Sequence, residues 1–151
     1  TEIVPLIENG HDHFGENKLQ EAEFKWSDLK AKNNNLKLHM VGKLQSNKAK
    51  KAVQLFDYIH SLDNEKLALK LSTYEKELSK KNKIFIQVNL GSEKQKSGIL
   101  INQLTEFYNY CSKDLSLNIK TYINSGDWVT HQTYVTVTDG VARLRKFSYD
   151  S

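Results

Sequence analysis

Five short runs of strand character, each followed by a stretch of helical periodicity or a turn, limit this chain to folds assembled from βαβ units. The runs are His13-Phe14-Gly15, Leu36–Gly42, Asp57–Leu62, Lys83–Leu90 and Leu117–Asn124. Between them, Lys18–Lys30 carries Leu19, Ala22, Trp26 and Leu29 on one stripe, and Gln45–Phe56 carries Ala49, Ala52, Val53 and Phe56. Glu65–Lys80 repeats the pattern through Leu67, Leu71, Tyr74 and Leu78, with Asp63 or Asn64 placed to cap it. A further helix puts Leu104, Phe107, Tyr108 and Cys111 on one side. Before all of these, Thr1–Asn9 reads as the tail of a helix that stops at Gly10, a residue suited to the left-handed position after a helix. The run KIFIQVNL is the most strongly strand-like and suits a central position in a parallel sheet.

Composition adds boundaries. A chain of 151 residues fits a single core, and 38% hydrophobic with 26% charged residues is ordinary for a folded chain. The net charge of +4 comes from lysines that fall mostly between the apolar positions of helices, so a solvated face accounts for them. The segment KLQSNKAKK keeps open a module that binds phosphate-rich polymers, including nucleic acid. Cys111 is the only cysteine, which rules out an intrachain disulfide and a cysteine-cluster metal site and suits a reducing compartment. No run approaches the ~18 apolar residues of a membrane span, and the first residues lack a signal-peptide layout, so the expected location is cytoplasmic.

Polar residues cluster just after the strand runs, where a barrel presents its ligand groups: Gly15-Glu16-Asn17, Gly42–Lys48, Ser61-Leu62-Asp63 and Asn89-Leu90-Gly91. Singly, such residues are mostly turn formers and caps. In order, HFGENKLQEA, LHMVGKLQSNKAK, YIHSLDNEKLA and IFIQVNLGSEKQKSGI closely resemble consecutive motifs of the pyridoxal phosphate homeostasis family, over about four fifths of the chain. That resemblance implies a (β/α) barrel similar to the barrel domain of alanine racemase. It also implies pyridoxal 5′-phosphate as cofactor, a holding and delivering role, and no established catalytic reaction. By position, Asn17, His39 and Ser61 would face the cofactor ring from the second, third and fourth strands of the family's barrel. For His39 the competing reading is a barrel-interior histidine with satisfied hydrogen bonds.

The resemblance also implies departures. The family's Schiff-base lysine precedes the helix at which this chain begins, and the phosphate loop and its neighbouring arginine should follow later strands that nothing after Lys120 resembles. The expectation is therefore a binder disarmed for covalent capture, with Lys43 and Lys48 as the nearest substitute amines. An inactive chimeric fragment is the alternative.

After Tyr122 the pattern changes. Trp128–Thr138 and Val141–Phe147 flank Asp139-Gly140, a pair preferred in two-residue hairpin turns. Pairing outward from that turn puts Val135, Val137, Ala142 and Leu144 on one face. The run YINSGDWVTHQTYVTVTDGVARLRKF resembles the closing strands of calcineurin-like metallophosphoesterases of the UDP-diacylglucosamine hydrolase type. Asp12 with His13, or Asp127 with His131, read better as turn and surface residues than as metal ligands, so no metal is expected.

The expected architecture is α/β: partial TIM-barrel-like (β/α) units over residues 1–120 and an antiparallel β-hairpin tail over 121–151. Five strands cannot close a barrel of about eight. A mixed sheet, with the hairpin over one edge, or self-association through open edges would follow.

Overall fold

The computed structural model describes residues 3–89, 97–120, 133–138 and 141–146, the last two ranges as backbone. A short helix α1 (Val4–Glu8), with Pro5 in its first turn, ends at Gly10, whose φ of 86° is the left-handed value expected there. Four strands follow, each but the last leading into a helix: β1 (His13–Glu16), α2 (Leu19–Lys32), β2 (Lys37–Met40), α3 (Ala49–Leu55), β3 (Tyr58–Leu62), α4 (Glu65–Glu77) and β4 (Lys83–Ile86).

The strands pair in chain order β1-β2-β3-β4, all parallel. Parallel neighbours in sequence order, joined by right-handed crossovers, put every connecting helix on the same face of the sheet. Burial agrees. Leu38, Met40, Ile59, Ile84 and Ile86 form one core cluster with Leu19, Ala22 and Trp26 of α2, Ala52 and Val53 of α3, and Leu67 and Leu71 of α4. This is barrel-type winding, since a doubly wound sheet would carry helices on both faces.

The helix ends explain themselves locally. The Asn64 side chain accepts from the Leu67 N–H at 2.9 Å and starts α4. α4 finishes before Ser79, whose φ is 49°, three residues short of the expected Lys80. Expected as one helix, Gln45–Phe56 is a 3-10 turn (Ser46–Lys48) followed by α3.

Three expectations need correction. KIFIQVNL is not one strand: the β3–β4 pairing shifts register between Ile59 and Leu62, β4 ends at Ile86, and β5 (Val88–Asn89) pairs with β6 (Ile99–Leu100), in parallel. Within its described part, Leu117–Asn124 contributes a single bridge, Ile84 to Ile119, in line with the parallel sheet. The sheet is also not mixed. β7 (Thr133–Thr138) and β8 (Val141–Lys146) pair antiparallel as a separate two-stranded sheet. Asp139-Gly140 and the side chains on the expected apolar face lie outside the described residues. Between β6 and residue 119 run a 3-10 turn (Ile101–Gln103), α5 (Leu104–Asn109) and a π-helical turn, Tyr110–Asp114.

No helix among the described residues is long and apolar enough to cross a membrane.

Candidate functional site

Alternation along the strands sends Phe14, Glu16, Leu38, Met40 and Ile59 toward the helices, and His13, Gly15, His39, Tyr58, His60 and Phe85 to the opposite, inner face. The helix-side partners are fixed by specific bonds. Glu16 accepts from the Trp26 indole N–H at 2.6 Å and from Lys25 Nζ at 2.8 Å, which ties β1 to α2.

The inner face carries a row of imidazoles. His13 Nδ1 lies 2.8 Å from His39 Nε2, and His39 Nδ1 lies 2.9 Å from His60 Nε2. His39 stacks on Tyr58 with ring centroids 4.1 Å apart and planes 7° from parallel, while His60 stacks on Phe85 at 4.4 Å. Lys83 Nζ donates to the Tyr58 hydroxyl at 2.9 Å and sits 4.8 Å from that ring's centroid. Burial foremost, then the neighbouring His60 and His13, lowers the His39 pKa from 6.5 to about 4, and burial also lowers that of His60.

Gly15 leaves the position next to Val41 without a side chain; a Cβ there would stand 3.7 Å from Val41 Cγ1, and Val41 is 46% exposed. The loops that follow β1 and β2 press together: a Cβ on Gly42 would lie 2.0 Å from the Asn17 carbonyl oxygen, which no side chain tolerates. A cavity of about 260 Å³ opens beside this crossing, lined among others by Asn17, Gln20, Lys43, Gln45 and Lys48.

The three sequence-predicted residues meet different fates. Asn17 is exposed at the mouth and lines that cavity. His39 sits deeper, in the middle of β2, with both ring nitrogens engaged by other histidines. Ser61 falls in the irregular part of β3; it is 2% exposed and its Oγ has no hydrogen-bond partner among the described residues. A buried hydroxyl without a partner costs stability unless something else supplies one. Sequence reasoning missed His13, Tyr58 and His60 as members of the layer. Their shared alternation with His39 was the available signal.

The lysines resolve by position. Lys80, whose pKa burial lowers, donates to the carbonyls of Gln54 and Phe56 at the far end of the sheet, away from the carboxyl ends of the strands. In the basic segment, Lys50 pairs with Glu77 and Lys51 with Glu23, so part of its charge is neutralised locally. Among the described residues no group of three or more His, Cys, Asp or Glu is arranged to hold a metal ion.

The chain matches the family model of the alanine racemase N-terminal domain over residues 1–126. Its relatives include the pyridoxal phosphate homeostasis protein of Buchnera aphidicola subsp. Schizaphis graminum, 37% identical over 115 residues, covering 76% of this chain and 48% of that protein. The protein of the same name from Pasteurella multocida is 35% identical over 105 residues, covering 70% of this chain and 45% of its own. Among solved structures, PipY of Synechococcus elongatus without PLP superposes with a TM-score of 0.69 at 38% identity, covering 78% of this chain and 54% of that one. PipY with PLP bound gives 0.68 at 35%, covering 79% and 53%. The chain thus spans about half the length of the relatives it matches.

Proposed function

Because the chain belongs to the family of the alanine racemase N-terminal domain, we propose that residues 1–120 form one wall of a noncatalytic pyridoxal 5′-phosphate site of the vitamin B6 homeostasis type. Residues 121–151 would be a separate tail. The observation that carries this reading is the orphaned Oγ of Ser61, buried near the carboxyl end of β3 and in want of a partner. The relative PipY, solved with PLP bound, supports the choice of ligand.

In this reading Asn17, exposed at the mouth, would offer an amide and Ser61 a hydroxyl in a dry setting, with Gly15 carrying no side chain between them. When bound, the cofactor would supply an electrophilic aldehyde. His39, neutral at physiological pH, would add no charge of its own beneath the ring.

A covalent hold does not come from the described lysines in this reading. An amine that condenses with an aldehyde must be held at the mouth and kept deprotonated. Lys80 is the lysine whose pKa burial lowers, and it is committed to carbonyls at the other end of the sheet, whereas Lys43 at the mouth is exposed. Pyridoxal phosphate is therefore expected to bind saturably, and without a covalent bond to a lysine among the described residues.

Titrating the purified chain with the cofactor and following its absorbance, then treating with borohydride and weighing the product, tests both parts. Saturable binding weakened by Ser61→Ala, with no pyridoxyl mass added, is the expected result. Absence of saturable binding would remove the proposal, and a mass increase mapped to a lysine would remove its noncovalent part.

A further inference from the structure

Each N···N separation along the three inner-face histidines, 2.8 Å between His13 and His39 and 2.9 Å between His39 and His60, needs one proton between the two nitrogens. Three neutral imidazoles hold three N–H protons, enough for both bonds, provided that the rings donate in the same direction along the row. His39 sets that condition, since a neutral ring has one donor and one acceptor nitrogen and both of its nitrogens are used.

One extra proton fits anywhere. With His13 charged, its Nδ1–H donates to His39 Nε2, and the His39 Nδ1–H then donates to His60 Nε2. With His60 charged, both directions reverse. With His39 charged, it donates both ways. A second extra proton cannot fit, because His13 and His60 would both donate to a ring with one acceptor, and one N···N bond must break.

From this geometry we propose that His13, His39 and His60 form a proton relay of capacity one, running across the inner face of the sheet from its β1 edge to β3. Transfer is balanced within the row. A proton enters at His13 Nε2, the Nδ1 proton of His13 passes to His39 Nε2, and the Nδ1 proton of His39 passes to His60 Nε2. One charge moves from the first ring to the last, and His13 and His39 each change from the Nδ1–H to the Nε2–H tautomer.

The surroundings bias where the charge rests. His13 is nearly half exposed, with Asp12 Oδ1 4.0 Å from its Nε2. His39 stacks on Tyr58; Asp57, just before β3, favours its charged form, and the Lys83 ammonium opposes it more weakly. His60 is half-buried against Phe85. The relay needs no bound ligand, so its failure and that of the pyridoxal phosphate reading are separable.

Nitrogen-15 NMR of the histidine rings across a pH titration of the full chain tests it. As the row takes up its one extra proton, the ring nitrogens of His13, His39 and His60 should shift together at one common midpoint, because the proton is shared along the row. His39→Phe, with its fold checked by the near-ultraviolet signal of the buried Trp26, should abolish the response of His60 at that midpoint. Separate midpoints for the three rings in the unmodified chain would overturn the proposal, as would a His60 response that persists in the folded variant.

Discussion

At the scale of single residues, Ser61 and Gly42 answer to opposite constraints. Ser61 holds a buried hydroxyl with no partner among the described residues, so Ser61→Ala should stabilise the ligand-free chain by about 1 kcal/mol, because a desolvated polar atom is removed at little loss of volume. Urea unfolding measures this, and the same variant should bind pyridoxal phosphate less well. A variant that is both less stable and unchanged in binding would count against the role given to Ser61. Gly42 has no freedom to change: its missing Cβ is what lets the Asn17 carbonyl approach. Gly42→Ala should destabilise the chain by about 1–3 kcal/mol, the usual range for forced overpacking, read from the same unfolding curves.

Among the elements, α3 and α4 show which ends the chain secures. Asn64 caps α4 through the Leu67 N–H, so Asn64→Ala should cost about 1 kcal/mol in chemical denaturation while Asn64→Asp should not. The α3 carboxyl end has no glycine cap. Its last carbonyls are met from a distance, by Lys80 on Gln54 and Phe56, by Asn82 on Phe56 at 2.7 Å, and by Lys30 on Leu55 at 2.9 Å. The order of strands and helices through β4, and the stripes of α2 to α4, were legible because periodicity reports local burial. Two features were not. The break in KIFIQVNL follows a shift in its pairing with β3 between Ile59 and Leu62, and pairing register is a property of two strands at once. The imidazole row likewise joins residues 26 and 21 apart in sequence, so His39 was found through motif position and its neighbours were not.

For the molecule as a whole, acid is the informative perturbant. His39 titrates near pH 4 when folded and near 6.5 when unfolded, and the His60 pKa is lowered as well. The unfolded chain thus binds more protons in that interval, and stability should fall as pH drops from about 6.5 toward 4. Asp57 adds to this at lower pH. Burial opposes its charge, but the Lys30 ammonium and the Leu38 N–H outweigh that and hold its pKa below 3.8, so its contribution disappears only as the carboxylate protonates. Melting temperatures collected from pH 7 to pH 4 should decline, and the decline should be shallower in His39→Phe. A flat profile in the unmodified chain would contradict the described burial of the imidazoles.

The crossing of Gly42 over Asn17 also bears on how such a chain can be altered. Two connections that touch backbone to backbone cannot be lengthened or shortened one at a time, because an added residue in either would push its partner off the sheet. Grafts and insertions at this end should succeed only when both connections are exchanged together, as one inherited unit.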